Sequence, residues 1–297
     1  MSHRNGQRNV LVLPKEELVE QAYFFRILSE RMGERLAMQD LLKQVKFELL
    51  TSTKLPMAVD FLLTELLHGG AMGPAMRRMQ HYFTSFQTYL VEEAEFERGR
   101  FGMQTAVKVL QFDAEYRSGQ PSRQGCFLYQ FEALCRNRLR YDQGLKAMSE
   151  DPIYDADWKQ WLLEVRHQIG LVDLADMIFL RSEEYVQRKR AIEGPEFEPK
   201  LPPLFGQHEG RMAMANHRKD PLFLFAAMQR HLGYPAVPRL APPDPTAEIV
   251  PQLQRRMERL ETRMKIMEEE QRHGLDITKF YVDPHKPPSD HDSDIDD

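Results

Sequence analysis

The sequence predicts an all-α protein, either a multi-helix bundle or an irregular helical array, with a C-terminal coiled coil and no β-sheet. Apolar residues recur at the spacing of one helix face through most of the chain up to residue 193. No stretch shows the strict alternation of apolar and polar residues that marks a half-buried strand. A hydrophobic content of 42% supplies enough apolar side chains for a sizeable helical core.

The first two helices are predicted at about 15–32 and 38–50, after a polar N-terminal arm at residues 1–9 that is predicted to be disordered. Gly33 ends the first helix, because glycine readily adopts the left-handed conformation found after helix C-termini. The second helix has four apolar residues in phase along one face, and these are Leu41, Leu42, Val45 and Leu49. We therefore expect the second helix to present this face to a common core.

A helical hairpin is predicted to follow, with a first arm at about 56–68 and a longer second arm that begins at Pro74. Gly69 and Gly70 separate the arms, and proline suits the first turn of a helix, where its missing N–H costs no hydrogen bond. The second arm has a broad aromatic and apolar face, formed by Tyr82, Phe83, Phe86, Tyr89 and Leu90. Such a face could stack on bases or on a flat cofactor, but helical packing is sufficient to explain it.

Four more helices are predicted in the body, at about 103–117, 126–148, 156–169 and 171–192. The third has the clearest pattern. Its apolar face consists of Trp158, Trp161, Leu162, Val165 and Ile169. A short helix at about 220–232 is predicted further on, with Asp220 as its N-cap and Pro221 in its first turn. We expect the apolar face of this short helix to dock on the body.

Composition divides the chain into seven segments. Proline is frequent after residue 193 and again after residue 233, which indicates extended connectors. The last residues are rich in aspartate, which predicts disorder. The predicted segments are a disordered N-terminal arm (1–9), a helical body (10–193), a proline-rich linker (194–219), a short docking helix (220–233), a second proline-rich linker (234–246), a coiled coil (247–273) and an acidic disordered tail (274–297).

The most specific motif in the sequence is a heptad repeat near the C-terminus. Its apolar positions, separated alternately by three and four residues, define the a and d seam of a coiled coil. They are Val250, Leu253, Met257, Leu260, Met264 and Met267. The g positions carry Arg256 and Arg263, and the following e positions carry Glu261 and Glu268. Each arginine faces a glutamate in a parallel pair of identical helices, which favours self-association; a helix lying on the body is the alternative.

A metal site is the alternative functional hypothesis. Ferritin-like di-iron and di-manganese proteins hold their metals with two glutamates and two Glu-x-x-His pairs on four helices. The corresponding residues here are Glu30, Glu65, His68, Glu132, Glu164 and His167. The spacing places Glu164 and His167 away from the tryptophan face, and His68 at a helix end, which weighs against a site in the core. A third Glu-x-x-His, from Glu270 to His273, shows that the pattern also arises by chance in this composition.

Charge and cysteine content restrict the partners and the compartment. The net charge is −5, and the segment from Asp283 onward contains six Asp and one Lys, so residues 1–282 are close to neutral. A neutral body does not predict a nucleic-acid surface.

Cys126 and Cys135 are nine residues apart on one predicted helix and cannot pair, which suits a reducing compartment. The sequence shows neither an apolar signal segment nor a run that could span a bilayer, so a cytoplasmic protein without membrane contact is expected.

The predicted function follows from the motifs that the sequence contains and lacks. No phosphate-binding, dinucleotide-binding, serine-nucleophile or zinc-protease motif is present, and no cofactor or small-molecule substrate is predicted. The sequence therefore predicts a non-catalytic cytoplasmic interaction or scaffold protein that binds itself or a protein partner through the coiled coil. The alternative is a di-iron or di-manganese carboxylate enzyme that uses the two Glu-x-x-His pairs.

Overall fold

The computed structural model describes residues 13–34, 36–96 and 101–239, together with six single residues of the predicted coil: Met257, Leu260, Glu261, Arg263, Met264 and Met267. The chain divides into two compact units, Met1–Leu240 and Ala241–Asp297. Within its described residues, the first unit contains thirteen α-helices, one 3₁₀ turn at Met32–Glu34 and only isolated β-bridges. The predicted all-α class is therefore confirmed. The predicted arm at 1–9 and tail at 274–297, and most of the predicted coil, lie outside the described residues.

The thirteen helices follow one another along the first unit. In chain order they are α1 (Lys15–Arg31), α2 (Met38–Lys46), α3 (Leu55–Gly69), α4 (Gly73–Arg78), α5 (Ser85–Glu95), α6 (Met103–Ser118), α7 (Arg123–Arg136), α8 (Tyr141–Ser149), α9 (Ala156–Gln168), α10 (Leu174–Leu180), α11 (Glu183–Glu193), α12 (Gln207–Ala215) and α13 (Pro221–Leu232). Among the described helices, none combines the length and the apolar content needed to cross a bilayer.

Five of the predicted helices, α1, α3, α6, α9 and α13, begin and end within two residues of the expected positions. Pro56 occupies the first turn of α3, and Gly70 ends that helix in the left-handed conformation with a φ of 72°. Asp220 caps α13, because its carboxylate accepts a hydrogen bond from the backbone N–H of Leu222 at 2.9 Å. The local capping residues read from the sequence therefore set these helix ends.

Two of the predicted helices are each interrupted in the structure and form two shorter helices. The second arm of the hairpin, predicted as one helix from Pro74, is divided into α4 and α5. Thr84 starts α5 with a capping box, in which its hydroxyl and the side chain of Gln87 each accept a backbone hydrogen bond from the other residue. The helix predicted at 126–148 is divided into α7 and α8, where Arg138 adopts a left-handed φ of 54°. The prediction of single helices was wrong in both places.

A third predicted helix, at 171–192, is also divided, into α10 and α11. Ser182 begins α11, since its hydroxyl accepts a hydrogen bond from the backbone N–H of Tyr185 at 3.3 Å. The helix predicted at 38–50 ends early, at Lys46, and continues as a turn. The predictions missed these ends because the apolar spacing continues across them.

The proline-rich segment predicted as a linker at 194–219 contains α12 and is packed into the first unit. The backbone N–H groups of Leu204 and Phe205 both donate to the carbonyl of Arg181, at 2.7 and 3.0 Å. Phe205 is 1% exposed and belongs to the same buried cluster as the body helices. The described core therefore continues beyond the predicted boundary at residue 193.

The tryptophan face predicted on α9 packs against this segment and against α7. Trp158 and Trp161 are each 2% exposed, and their rings lie 5.5 Å apart. Both rings lie 5.2 Å from the ring of Phe205, and Phe127 of α7 lies 4.8 Å from Trp161. Edge-to-face contacts of this kind add to the burial energy of the rings and fix the position of α9.

The sequence predicts that the short helix α13 docks on the body, and in the structure this helix packs on α7. Its buried residues are Leu224, Phe225 and Met228. Beyond α13, the hydroxyl of Tyr234 donates a hydrogen bond of 3.0 Å to the carboxylate of Glu132 on α7, and Val237 is also buried. The start of the second predicted linker, 234–246, is therefore part of the core of the first unit.

Candidate functional site

A cluster of buried charges lies between the end of α6 and the loop after α8. Arg117, in the last turn of α6, donates from both terminal nitrogens to the two carboxylate oxygens of Asp151, at 3.2 and 2.6 Å. Its Nε lies 2.7 Å from a carboxylate oxygen of Asp113, one helical turn earlier. None of the three side chains is more than 7% exposed. Because isolated charges are costly to bury, mutual pairing is what makes this cluster tolerable in the interior.

Burial and mutual attraction shift the pKa values of this cluster. Burial raises the pKa of Asp113, and the positive charge of Arg117 opposes that shift only in part. Burial lowers the pKa of Arg117, but the charges of Asp113 and Asp151 outweigh it and raise the pKa well above its ordinary value. Arg117 therefore stays charged, whereas Asp113 holds its proton more strongly than an exposed aspartate does.

A cavity of about 240 Å³ adjoins this cluster, beside α1, the loop before α5 and the loop after α8. Arg117 and Asp151 form part of its wall. Gln21 and Gln87 also line it, and the Gln87 amide donates a 3.1 Å hydrogen bond to the Gln21 side-chain oxygen. The guanidinium at this cavity is already held by carboxyl groups, so it has little capacity left to bind an anionic ligand.

The two cysteines do not supply a nucleophile to this cluster. Both are free, with Cys126 buried and Cys135 half-buried on α7. Burial raises the pKa of the Cys126 thiol to about 12 and that of the Cys135 thiol to about 11. The reactive thiolate is therefore strongly disfavoured at both positions at neutral pH, and each cysteine acts as a small packing residue.

A second group of polar side chains joins the start of α10 to the turn after α12. Ligand atoms of Asp173, Asp176 and His217 lie within 4.8 Å of one another, and Nδ1 of His217 lies 2.5 Å from the Asp176 carboxylate. Asp173 already accepts from the backbone N–H groups of Ala175 and Arg218, at 3.0 and 2.7 Å. Both carboxylate oxygens of Asp173 are thus engaged in holding the backbone, and a cation would have to compete with those donors.

The structure describes all six residues of the di-iron alternative, Glu30, Glu65, His68, Glu132, Glu164 and His167, and does not bring them into one site. Among the described residues, no three of these six have ligand atoms within 4.8 Å of one another. Glu132 is buried, but its carboxylate pairs with Arg136 and accepts from Tyr234. Glu65 pairs with Arg78 at 2.7 Å, at a partly exposed position. This arrangement gives no support to a shared metal site on four helices.

The predicted oligomer interface is described at six of its ten positions. Val250, Leu253, Arg256 and Glu268 lie outside the described residues. The six described positions are helical, and they are Met257, Leu260, Glu261, Arg263, Met264 and Met267. The four apolar side chains of this set are each between 56% and 60% exposed. The described part of the predicted seam is therefore exposed within the single chain.

Sequence reasoning missed two buried arginines, Arg117 and Arg181. Asp113 and Arg117 have the i, i+4 spacing of a helical ion pair, which was the available signal, but the same spacing also stabilises exposed helices. The second partner, Asp151, lies 34 residues further along the chain and no local pattern indicates it. Arg181 falls inside the helix predicted at 171–192, so its place at a helix end was not predicted.

No protein-family model matches the chain, and neither a curated protein nor a solved structure matches it.

Proposed function

We propose that this protein is a non-catalytic interaction or scaffold protein whose C-terminal helix joins identical chains in a parallel coiled coil. One observation carries the proposal: the described apolar positions of the heptad repeat are helical and more than half exposed. They are Met257, Leu260, Met264 and Met267, separated by three, four and three residues. A lone helix of this length is marginal in water, so an exposed apolar stripe along it calls for a partner.

Charge complementarity favours a second copy of the same chain as that partner. In a parallel pair, Arg256 faces Glu261 of the second copy, and Arg263 faces Glu268. In an antiparallel pair the g positions face each other, so arginine would lie opposite arginine. The order of charges along the sequence therefore supports the parallel arrangement. The helical first unit would then be presented in two or more copies by one assembly.

Leu260→Asp tests this proposal at the centre of the seam. In a parallel assembly the substitution places carboxylates at the same level of an apolar interface, where a charge without a partner is costly. We expect the full-length variant to be monomeric by size-exclusion chromatography with light scattering. Leu171→Asp is the matched control, because Leu171 is 86% exposed on the first unit and lies outside the seam. The control is expected to retain the oligomer.

Charge reversal then tests the orientation of the helices. Replacement of Arg256 and Arg263 by glutamate is expected to weaken the oligomer less than Leu260→Asp does, since each exposed pair contributes about 0.2–1 kcal/mol. Further replacement of Glu261 and Glu268 by arginine should restore the assembly. A wild-type chain that is monomeric at tens of micromolar would overturn the proposal of self-association.

A further inference from the structure

Arg181 is a buried arginine, and two of its three guanidinium nitrogens are buried without a hydrogen-bond partner among the described residues. The residue follows α10 and is 8% exposed. Its Nε and Nη1 atoms are buried and have no hydrogen-bond partner among the described residues. Its backbone is fixed, because its carbonyl accepts from the N–H groups of Leu204 and Phe205. A buried donor without an acceptor destabilises the folded state, so its presence calls for an explanation beyond packing.

Arg181 forms part of the wall of a pocket of about 490 Å³, which we call the Arg181 pocket. Side chains of α9 and α10 and the proline-rich segment 197–201 line it. Most of its walls are apolar or aromatic, including Trp161, Val172, Leu180, Tyr185, Phe197 and Leu201. A cavity of this volume with an apolar lining and a few placed polar groups has the character of a small-molecule site.

The charges around the pocket disfavour a doubly charged anion. Burial lowers the pKa of Arg181, while the negative charges of Glu164 and Asp157 oppose that shift. Glu164 itself lines the pocket together with Glu198 and Lys200. The two glutamates repel a doubly charged phosphate more strongly than a singly charged carboxylate, to which a guanidinium nitrogen can still donate.

Glu164 does not take the place of such a ligand. Its carboxylate accepts a hydrogen bond of 3.0 Å from the side chain of Gln160, on its own helix. Among the ion pairs of the described residues, none joins Glu164 to Arg181. Glu164 therefore adds negative charge near the pocket but leaves the buried nitrogens of Arg181 without an acceptor.

We propose that the Arg181 pocket binds an organic monocarboxylate that carries an aromatic or branched apolar group. The carboxylate would accept from the guanidinium, and the apolar group would lie against the side chains of Trp161, Tyr185 and Phe197. Binding would supply a hydrogen-bond acceptor to the guanidinium, which has none among the described residues. This site lies within the first unit and does not depend on the proposed coiled coil.

The probe for this proposal is 3-phenylpropionate, titrated into the full-length chain labelled with ¹⁵N. The protein has only two tryptophans, and Trp161 lines the pocket whereas Trp158 does not. We expect saturable shifts of the indole N–H resonances, larger for Trp161. The neutral analogue 3-phenylpropionamide has the same shape, and we expect it to bind about tenfold more weakly or worse, because it lacks the charge.

Three variants separate this site from non-specific binding. Arg181→Met should weaken 3-phenylpropionate binding by about tenfold or more, because methionine offers no donor. Arg188→Met is the matched control, since Arg188 is about half exposed and pairs with Glu184, and it should bind as the wild type does. Glu164→Gln should bind more tightly, because it removes a nearby negative charge.

The outcomes that overturn the proposal are distinct from a failure of the coiled coil. A wild-type chain that does not bind 3-phenylpropionate, or that binds the amide equally well, would refute a carboxylate site. Tighter binding of phenyl phosphate than of 3-phenylpropionate would refute the preference for a single charge. The Leu260→Asp variant should bind the carboxylate with unchanged affinity, whether or not the wild type self-associates.

Discussion

Arg117 and Arg181 are both buried arginines at the C-terminal ends of helices, and their surroundings are opposite. At each position the positive charge suits the helix dipole. Arg117 lies between the carboxyl groups of Asp113 and Asp151, with both terminal nitrogens hydrogen-bonded to Asp151. Arg181 has two buried nitrogens without an acceptor among the described residues, beside a pocket of about 490 Å³. Two carboxyl groups thus compensate the charge of Arg117, although its Nε makes no hydrogen bond of good geometry, whereas the described residues provide Arg181 with no ion pair.

This difference separates a structural role from a binding role. A buried charge whose partners come from the chain itself connects the elements that supply those partners, here α6 and the loop after α8. A buried charge without a partner lowers the stability of the unliganded protein, unless a ligand supplies the missing acceptor. The two arginines should therefore respond in opposite directions when each is replaced by an apolar residue of similar length.

The largest effect is expected for Arg117→Met. The substitution leaves Asp151 buried without its guanidinium, and removal of one partner of a buried ion pair costs about 3–5 kcal/mol. Urea denaturation followed by circular dichroism measures the loss. Arg123→Met is the matched control, because the pair of Arg123 with Asp155 is 49% and 44% exposed and should contribute about 1 kcal/mol at most. Equal losses for the two variants would show that burial does not distinguish these arginines.

A smaller loss is expected for Asp151→Asn. The amide can accept fewer charge-assisted hydrogen bonds from Arg117, and Asp151 also accepts from the backbone N–H of Ile153 at 3.1 Å. We expect a loss of about 2–3 kcal/mol in the free energy of unfolding, since hydrogen bonds to charged groups are the stronger ones. A variant as stable as the wild type would mean that Arg117 does not require the charge of Asp151.

Asp113→Asn should have a weak and pH-dependent effect. The folded-state pKa of Asp113 is raised above its ordinary value of 3.8 by burial, so the fold favours the protonated carboxyl group. This contribution is fully present below the ordinary pKa and is lost as the pH rises through the raised value. Relative to the neutral amide variant, the wild type should therefore become less stable as the pH rises above the ordinary pKa of 3.8. Urea denaturation at several pH values measures the difference in free energy of unfolding between the two proteins. If the wild type instead became more stable relative to Asp113→Asn as the pH rises, the fold would require ionised Asp113.

Much of the fold was accessible from the sequence because its signals are local. The apolar face of α9, with Trp158 and Trp161, and the capped start of α13 at Asp220 were both readable from spacing and residue type. The breaks at Thr84 and Ser182 were missed, because apolar spacing continues across them and the capping hydroxyls look like ordinary polar residues. The packing of the proline-rich segment was missed, since proline content indicates an extended backbone but not what that backbone contacts.

The candidate site was harder to predict from the sequence, because it depends on a buried side chain that lacks a hydrogen-bond acceptor. An arginine in the sequence predicts a charge at the surface, and only the structure shows that Arg181 is buried beside α9 and the segment 197–201. The partner of Arg117 at Asp151 is likewise set by the packing of α6 on a distant loop. Long-range compensation of charge, or its absence, has no local sequence pattern.

The most direct test of this contrast is the free energy of unfolding of Arg181→Met without ligand, measured by urea denaturation beside the wild type. We expect the variant to be more stable by about 1 kcal/mol, because methionine occupies a similar path without an unpaired buried charge. The increase has the opposite sign to the loss expected for Arg117→Met. A decrease of about 1 kcal/mol or more would show that the Arg181 guanidinium stabilises the unliganded fold, and the contrast with Arg117 would then be wrong.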